Sequence, residues 1–242
     1  MAVEILRPDA AGLARLVELL RNGEVVGFPT DTVYGLAALA SDAGAVQRVF
    51  EIKGRPLSQP LILMVSEVAQ VEDVAVVGER EHAYMDRWWP GPLTLVLHAK
   101  PHLRPPLVAG VPATVGVRIP DHADALALLG AVGAPLATTS ANRSGLPEAM
   151  TPKEAGRLPG LAAVLDGGRA PGGVPSTLLD LSAPDPKVLR EGPIPAEWLL
   201  PGMSDLDAAL AETFGSLPDL EVPSRDTECD RHRQGDGRSK GS

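Results

Sequence analysis

Short apolar runs closed by proline or glycine are the feature that most narrows what this chain can fold into. Residues 61–65, 93–97, 114–119 and 135–138 are largely apolar or β-branched without a strict polar alternation. That is the pattern of strands covered on both faces, and 25–28, 162–165, 177–181 and 187–189 extend the set. Helical patterns stand between them. Leu13, Leu16, Val17 and Leu20 follow the i, i+3, i+4, i+7 spacing and stop at Asn22 and Gly23. Asp42 is placed to cap a helix carrying Val46, Val49, Phe50 and Ile52, with Gly54 as its stop. Residues 78–89 form another helical pattern, and so do 123–129 behind Asp121. Thr151-Pro152-Lys153-Glu154 is a capping box with proline at the first helical position. Alternation of this kind predicts an α/β fold, a single domain over residues 1–202 with a twisted, mixed parallel and antiparallel sheet flanked by helices.

Composition removes several classes of function. With 242 residues, 44% of them apolar, the chain can bury a substantial core. The single cysteine, Cys229, offers no disulfide framework, zinc cluster or cysteine–histidine pair. No run of eighteen apolar residues and no secretory leader pattern is seen, so a cytoplasmic protein without membrane contact is expected. The net charge of −9 opposes broad electrostatic binding of nucleic acid. Nine acidic and five basic residues of 203–242 carry −4 of it, so a local basic cleft elsewhere stays open. That last stretch holds one weak helical pattern at 206–214 and few apolar residues, and a largely disordered polar tail is expected there. No P-loop, dinucleotide fingerprint, nucleophile elbow or HExxH is present. His98 and His102 are four apart, but Pro101 breaks the helix that would align them on a metal.

What remains is a series of polar clusters at the ends of predicted strands, where α/β sheets bind ligands. In chain order they are 28–36, Lys53-Gly54-Arg55-Pro56 running into Pro60-Leu61, Val117-Arg118-Ile119-Pro120, 138–145, Pro175-Ser176-Thr177 and Leu189-Arg190-Glu191-Gly192. Within them stand PT-x-T-x-YGL at 29–36, K-x-R-P at 53–56, S-A-N-x-S-G at 140–145 and P-S-T at 175–177. Taken jointly and in this order, they make the stretch from Ile5 to Pro195 resemble the YrdC/Sua5 family of threonylcarbamoyl-AMP synthases. The extra C-terminal domain of longer Sua5-type members is not expected, since about forty polar residues cannot form it.

The resemblance implies synthesis of threonylcarbamoyl adenylate from ATP, L-threonine and bicarbonate or CO2 with release of pyrophosphate. Mg2+ would accompany ATP, and no separate metal site is expected. A downstream tRNA-modifying transferase complex would use the product to form N6-threonylcarbamoyladenosine at position 37 of tRNAs reading ANN codons, and a weak contact with tRNA itself stays open. Phosphoryl chemistry of this type depends on positioning and on neutralising charge rather than on a nucleophile. By the same resemblance Lys53 and Arg55 would meet the triphosphate, with Gln59, Thr114, Ser140, Asn142 and Arg190 on the nucleotide, and Thr32, Arg118, Thr138 and Ser176 on threonine.

Each of these residues also has a plain reading. Lys53 and Arg55 could be cations stabilising a helix C-terminus. Arg118 could be half of a buried ion pair, Thr32 a turn residue and Asn142 a loop former. Trp88 and Trp89 read as packing residues rather than a base platform. Three positions depart from the family: Gln59 where Asn is common, Met64 where His is frequent, and Glu148 where a small hydroxyl residue is usual. Two other functions compete, an RNA-binding maturation factor and a carbamoyl-transferring module.

Overall fold

The computed structural model describes residues 3–103, 107 and 112–200. In chain order its elements are β1 (Glu4–Leu6), α1 (Ala10–Arg21), β2 (Val26–Phe28), β3 (Gly35–Leu39), α2 (Ala43–Lys53), β4 (Ile62–Met64), α3 (Val68–Val74) and α4 (Glu79–Trp88). They continue with β5 (Leu93–His98), β6 (Thr114–Arg118), α5 (Ala123–Val132), β7 (Leu136–Ser140), α6 (Pro152–Ala155), β8 (Ala163–Leu165), β9 (Thr177–Asp180) and β10 (Lys187–Arg190). The strands form one sheet in the order β1-β8-β2-β3-β7-β4-β6-β5-β9-β10. β1/β8, β2/β8, β4/β6 and β5/β9 run parallel and the other neighbours antiparallel, so the sheet is mixed as expected.

Local chemistry sets the helix ends. Asp42 accepts from the Ala45 amide at 2.9 Å, and Gly54 closes α2 in the left-handed region at φ 64°, a conformation that suits glycine. Thr151 and Glu154 close their capping box on α6, with Pro152 at its start. The helix expected behind Asp121 begins at Ala123 as expected and runs on to Val132, with His122 at its N-cap giving no side-chain cap. β1, β3 and α3 were not anticipated. The weak pattern at 206–214 and the polar tail lie outside the described residues.

Two apolar layers cover the sheet unequally. On one face Val46, Val49 and Phe50 of α2, Val71 of α3 and Met85 of α4 pack with Leu36, Leu63, Leu95, Val117 and Leu179. On the other, α1 and α5 pack together over Val26, Phe28, Ala37, Leu136 and Leu165, reaching no farther across the sheet than β4 among the described residues. Val96, His98 and Leu178, farther along that second face, remain only half-buried. The sheet is thus roofed on one half of this face and open on the other. The tryptophans serve packing: Trp88 stacks on Trp198 with centroids 6.3 Å apart, and Trp89 donates from Nε1 to the Leu93 carbonyl at 2.7 Å.

Candidate active site

Strand register brings the polar clusters together along the edge between the roofed and open halves. β4 lies between β6 and β7: Met64 pairs with Arg118 and Leu136, and Ile62 with Gly116 and Thr138. Ser140 pairs with Gly35 of β3. Residues paired in register, and those two apart on a strand, project from the same face. Arg118, Met64, Ile62, Thr138 and Ser140 therefore line one surface. With Thr32, Arg55, Ser176 and Arg190 they wall a cavity of about 100 Å³.

At one end Arg118 is almost wholly buried, 2% exposed. Its Nε donates to the Gly91 carbonyl at 2.9 Å, Nη1 to Thr32 Oγ1 at 3.1 Å and Nη2 to Asp31 Oδ1 at 2.6 Å. A guanidinium carries five N–H donors. The three bonds leave one N–H on each terminal nitrogen. Burial first pulls the Arg118 proton affinity down, and Asp31 pulls it back up. Arg118 is both a cavity-wall residue and half of a buried ion pair, so the two readings of it coexist. Asp31 Oδ2 is buried with no hydrogen-bond partner, which leaves Arg118 as the group that balances this carboxylate.

The turn that presents Asp31 and Thr32 is folded by Thr30. Its Oγ1 accepts from the amides of Thr32 and Val33, both at 3.2 Å, and donates to the Val33 carbonyl at 2.6 Å. The segment before Ser176 closes onto this turn, with the Gly173 amide donating to the Thr32 carbonyl at 2.9 Å. A Cβ on Gly172 would stand 2.7 Å from both the Asp31 backbone carbonyl oxygen and Thr32 Cα, so only glycine allows that approach. Ser176 Oγ is 2.7 Å from Thr94 Oγ1, and Thr138 Oγ1 donates to the Ile62 carbonyl at 3.3 Å.

At the other end the cavity is cationic. Arg55 is held by the carbonyls of Gln59 at 2.8 Å and Pro60 at 3.1 Å, and Arg190 by the Ser176 carbonyl at 2.8 Å through Nη2. Burial lowers the proton affinity of both, and Arg190 lowers that of Arg55 further, while Glu148 raises that of Arg190. Two mutually repelling cations thus face one cavity. Arg190 and Ser176, assigned by resemblance to different substrates, are directly bonded here.

Lys53 departs from its expected place. Its ammonium points beneath the 140–146 loop, 2.5 Å from Asn142 Oδ1, 2.7 Å from the Ser140 carbonyl, 3.1 Å from Ser140 Oγ and 3.4 Å from the Asn142 carbonyl. It does not wall the cavity; it pins the loop that does. Burial, then the Arg55 charge, lower its proton affinity to about 8, with Glu148 acting the other way. Asn142 likewise faces the loop, donating to the Leu146 carbonyl at 2.5 Å. Gln59 is exposed and offers Arg55 only its backbone oxygen. Thr114 pairs with His98 at the opposite end of β6 from Arg118, about 13 Å along the strand at ~3.3 Å per residue. The remaining expected residues, Thr32, Arg55, Arg118, Thr138, Ser140, Ser176 and Arg190, converge on the cavity. Asp31 was missed; an acidic residue inside a polar turn gave no signal of its own beyond its neighbourhood to Thr32.

Fold and cavity together define an α/β domain whose cavity has the buried Arg118–Asp31 pair at one end and Arg55 with Arg190 at the other. The sequence matches the Sua5/YciO/YrdC family model, described as "Telomere recombination", over residues 18–192, and the chain belongs to that family. It is 43% identical over 190 residues to the threonylcarbamoyl-AMP synthase of Bacillus subtilis, covering 77% of this chain and 55% of that protein. The solved structure of Pyrococcus abyssi Sua5 complexed with L-threonine superposes with a TM-score of 0.77 at 36% identity, over 82% of this chain and 60% of that one. Escherichia coli YciO superposes with a TM-score of 0.74 at 28% identity, over 81% of this chain and 98% of that one. The chain spans about half the length of the Bacillus and Pyrococcus synthases it matches.

Proposed function

We propose that this chain makes threonylcarbamoyl adenylate from L-threonine, bicarbonate or CO2, and ATP. The observation that carries the reading is the cavity itself, with the Arg118 fork at one end and Arg55 with Arg190 at the other. The synthase names of its relatives support it, as does the threonine held by the Pyrococcus homologue.

In this reading the threonine carboxylate takes the two remaining N–H groups of Arg118, with the hydroxyls of Thr32, Thr138 and Ser176 around the rest of the amino acid. The free amine adds to CO2, losing a proton, and a carbamate results. A carbamate oxygen then attacks the α-phosphorus of ATP; the new O–P bond forms as the bond to the β-phosphate bridge breaks, and pyrophosphate leaves. Arg55 and Arg190 neutralise the phosphate charge, and Lys53 holds the Ser140 loop against it. Mg2+ comes with ATP as part of the substrate. The described residues hold no group of three or more His, Cys, Asp or Glu side chains that could cage an ion. The product is a mixed anhydride, which a tRNA-modifying transferase would consume, with N6-threonylcarbamoyladenosine at position 37 as the end point. No described helix is long and apolar enough to cross a membrane.

The test is pyrophosphate release. Purified protein is expected to release it from ATP only when threonine and bicarbonate are both present. Equal release with unrelated amino acids, or none with threonine, would overturn the assignment.

A further inference from the structure

We propose that Met64 sets the amino-acid preference of this chain, its thioether and Ile62 forming the wall that meets the γ-methyl of a β-hydroxy, β-methyl amino acid. The inference rests on the amino-acid site described above and goes beyond it by naming what reads the side chain. Met64 is 5% exposed and borders the cavity, and it is the register partner of Arg118 on the neighbouring parallel strand. Adjacent strands lie about 4.8 Å apart. An amino acid held through its carboxylate by Arg118 would share the cavity with Met64 and Ile62, which stand two residues apart on one face of β4 and line its wall.

The polar groups lie elsewhere. Thr138 pairs with Ile62 from the far side of β4, and Thr32 sits beside Arg118. The wall is thus split, with apolar atoms on β4 and hydroxyls to either side. A thioether offers no N–H or O–H donor and only a weak acceptor, so this wall cannot select by a strong hydrogen bond. It selects by contact with a methyl group. Serine, which lacks that methyl, should bind more weakly by roughly 10- to 200-fold, the usual discrimination for one methylene in an apolar pocket.

Calorimetric dissociation constants for threonine and serine, in the wild type and in Met64→Leu, Met64→Gln and Met64→Ala, test this. Threonine is expected to win clearly in the wild type and in Met64→Leu. The threonine-to-serine ratio should fall several-fold in Met64→Gln, with ATP affinity unchanged. Met64→Ala opens the wall and should favour β-hydroxynorvaline, with an ethyl in place of the methyl, relative to threonine. A general loss of folding would lower both affinities and leave the ratios alone, so the ratios separate selection from stability. Unchanged ratios across all four proteins, or wild type binding serine as well as threonine, would overturn the role of Met64 alone. A wild type that binds no amino acid would overturn the site reading and this inference together.

Discussion

Arg118→Ala is expected to abolish threonine binding while ATP binding persists, and to lower stability by about 3–5 kcal/mol, the range for breaking one side of a buried ion pair. The two losses have separate origins. Binding goes because the fork that would hold both carboxylate oxygens is gone. Stability goes because Asp31 is left buried, with Oδ1 stripped of its 2.6 Å partner and Oδ2 already without one. The double variant Arg118→Met with Asp31→Asn should separate them: removing both charges should restore most of the stability, as apolar or neutral replacements of buried pairs often do, while threonine binding stays absent. Arg118→Lys keeps a charge but not the planar fork, and should recover little affinity. Denaturant midpoints and calorimetry read the two effects independently. Threonine affinity retained in Arg118→Ala would remove the carboxylate grip from the mechanism.

Lys53→Met is expected to weaken ATP binding by about tenfold or more, since the Ser140–Asn142 loop would lose an ammonium whose three N–H groups are shared among four of its oxygens, and each buried unsatisfied group costs about 1–3 kcal/mol. The effect has a pH signature. The Lys53 ammonium holds its proton only up to about 8 in the folded protein. Nucleotide phosphates nearby would raise that affinity, so above pH 8 ATP binding takes up a proton and its Kd weakens by up to about tenfold per pH unit. Below pH 8 the ammonium is already charged and the slope disappears. Lys53→Met should show no such slope. For stability the sign is opposite: the folded-state value lies below the unfolded one, so the cost of burying the charge is full below pH 8 and is relieved as pH rises from about 8 toward the ordinary lysine value of 10.5. Wild type should therefore gain stability over that window relative to Lys53→Met.

Much of this fold could be read from local signals because local chemistry determines it. Asp42 and Gly54 bound α2 through contacts within a few residues, and the apolar runs at 61–65 and 93–97 became β4 and β5 with small changes at their ends. β3 escaped because Gly35-Leu36-Ala37-Ala38-Leu39 is poor in β-branched and aromatic residues. Its strand conformation comes from lying between β2 and β7, which no local pattern announces. The site shows the same division. Turn and strand-end polar residues identified which segments matter, and seven of them do converge. What side chains do within the site depends on partners far away in sequence. Asp31 meets Arg118 across 87 residues, and Lys53 meets Asn142 across 89. Thr114 shows how four residues of strand can carry a hydroxyl to the wrong end of the sheet.

The central claim is that a threonine-derived carbamate is joined to AMP at this cavity, and the identity of the product tests it most directly. Incubation with ATP, threonine and carbon-13 bicarbonate should yield an adenylate whose mass contains one threonine, one AMP and one labelled carbon. An adenylate without the labelled carbon, or pyrophosphate release with no adenylate formed, would contradict it.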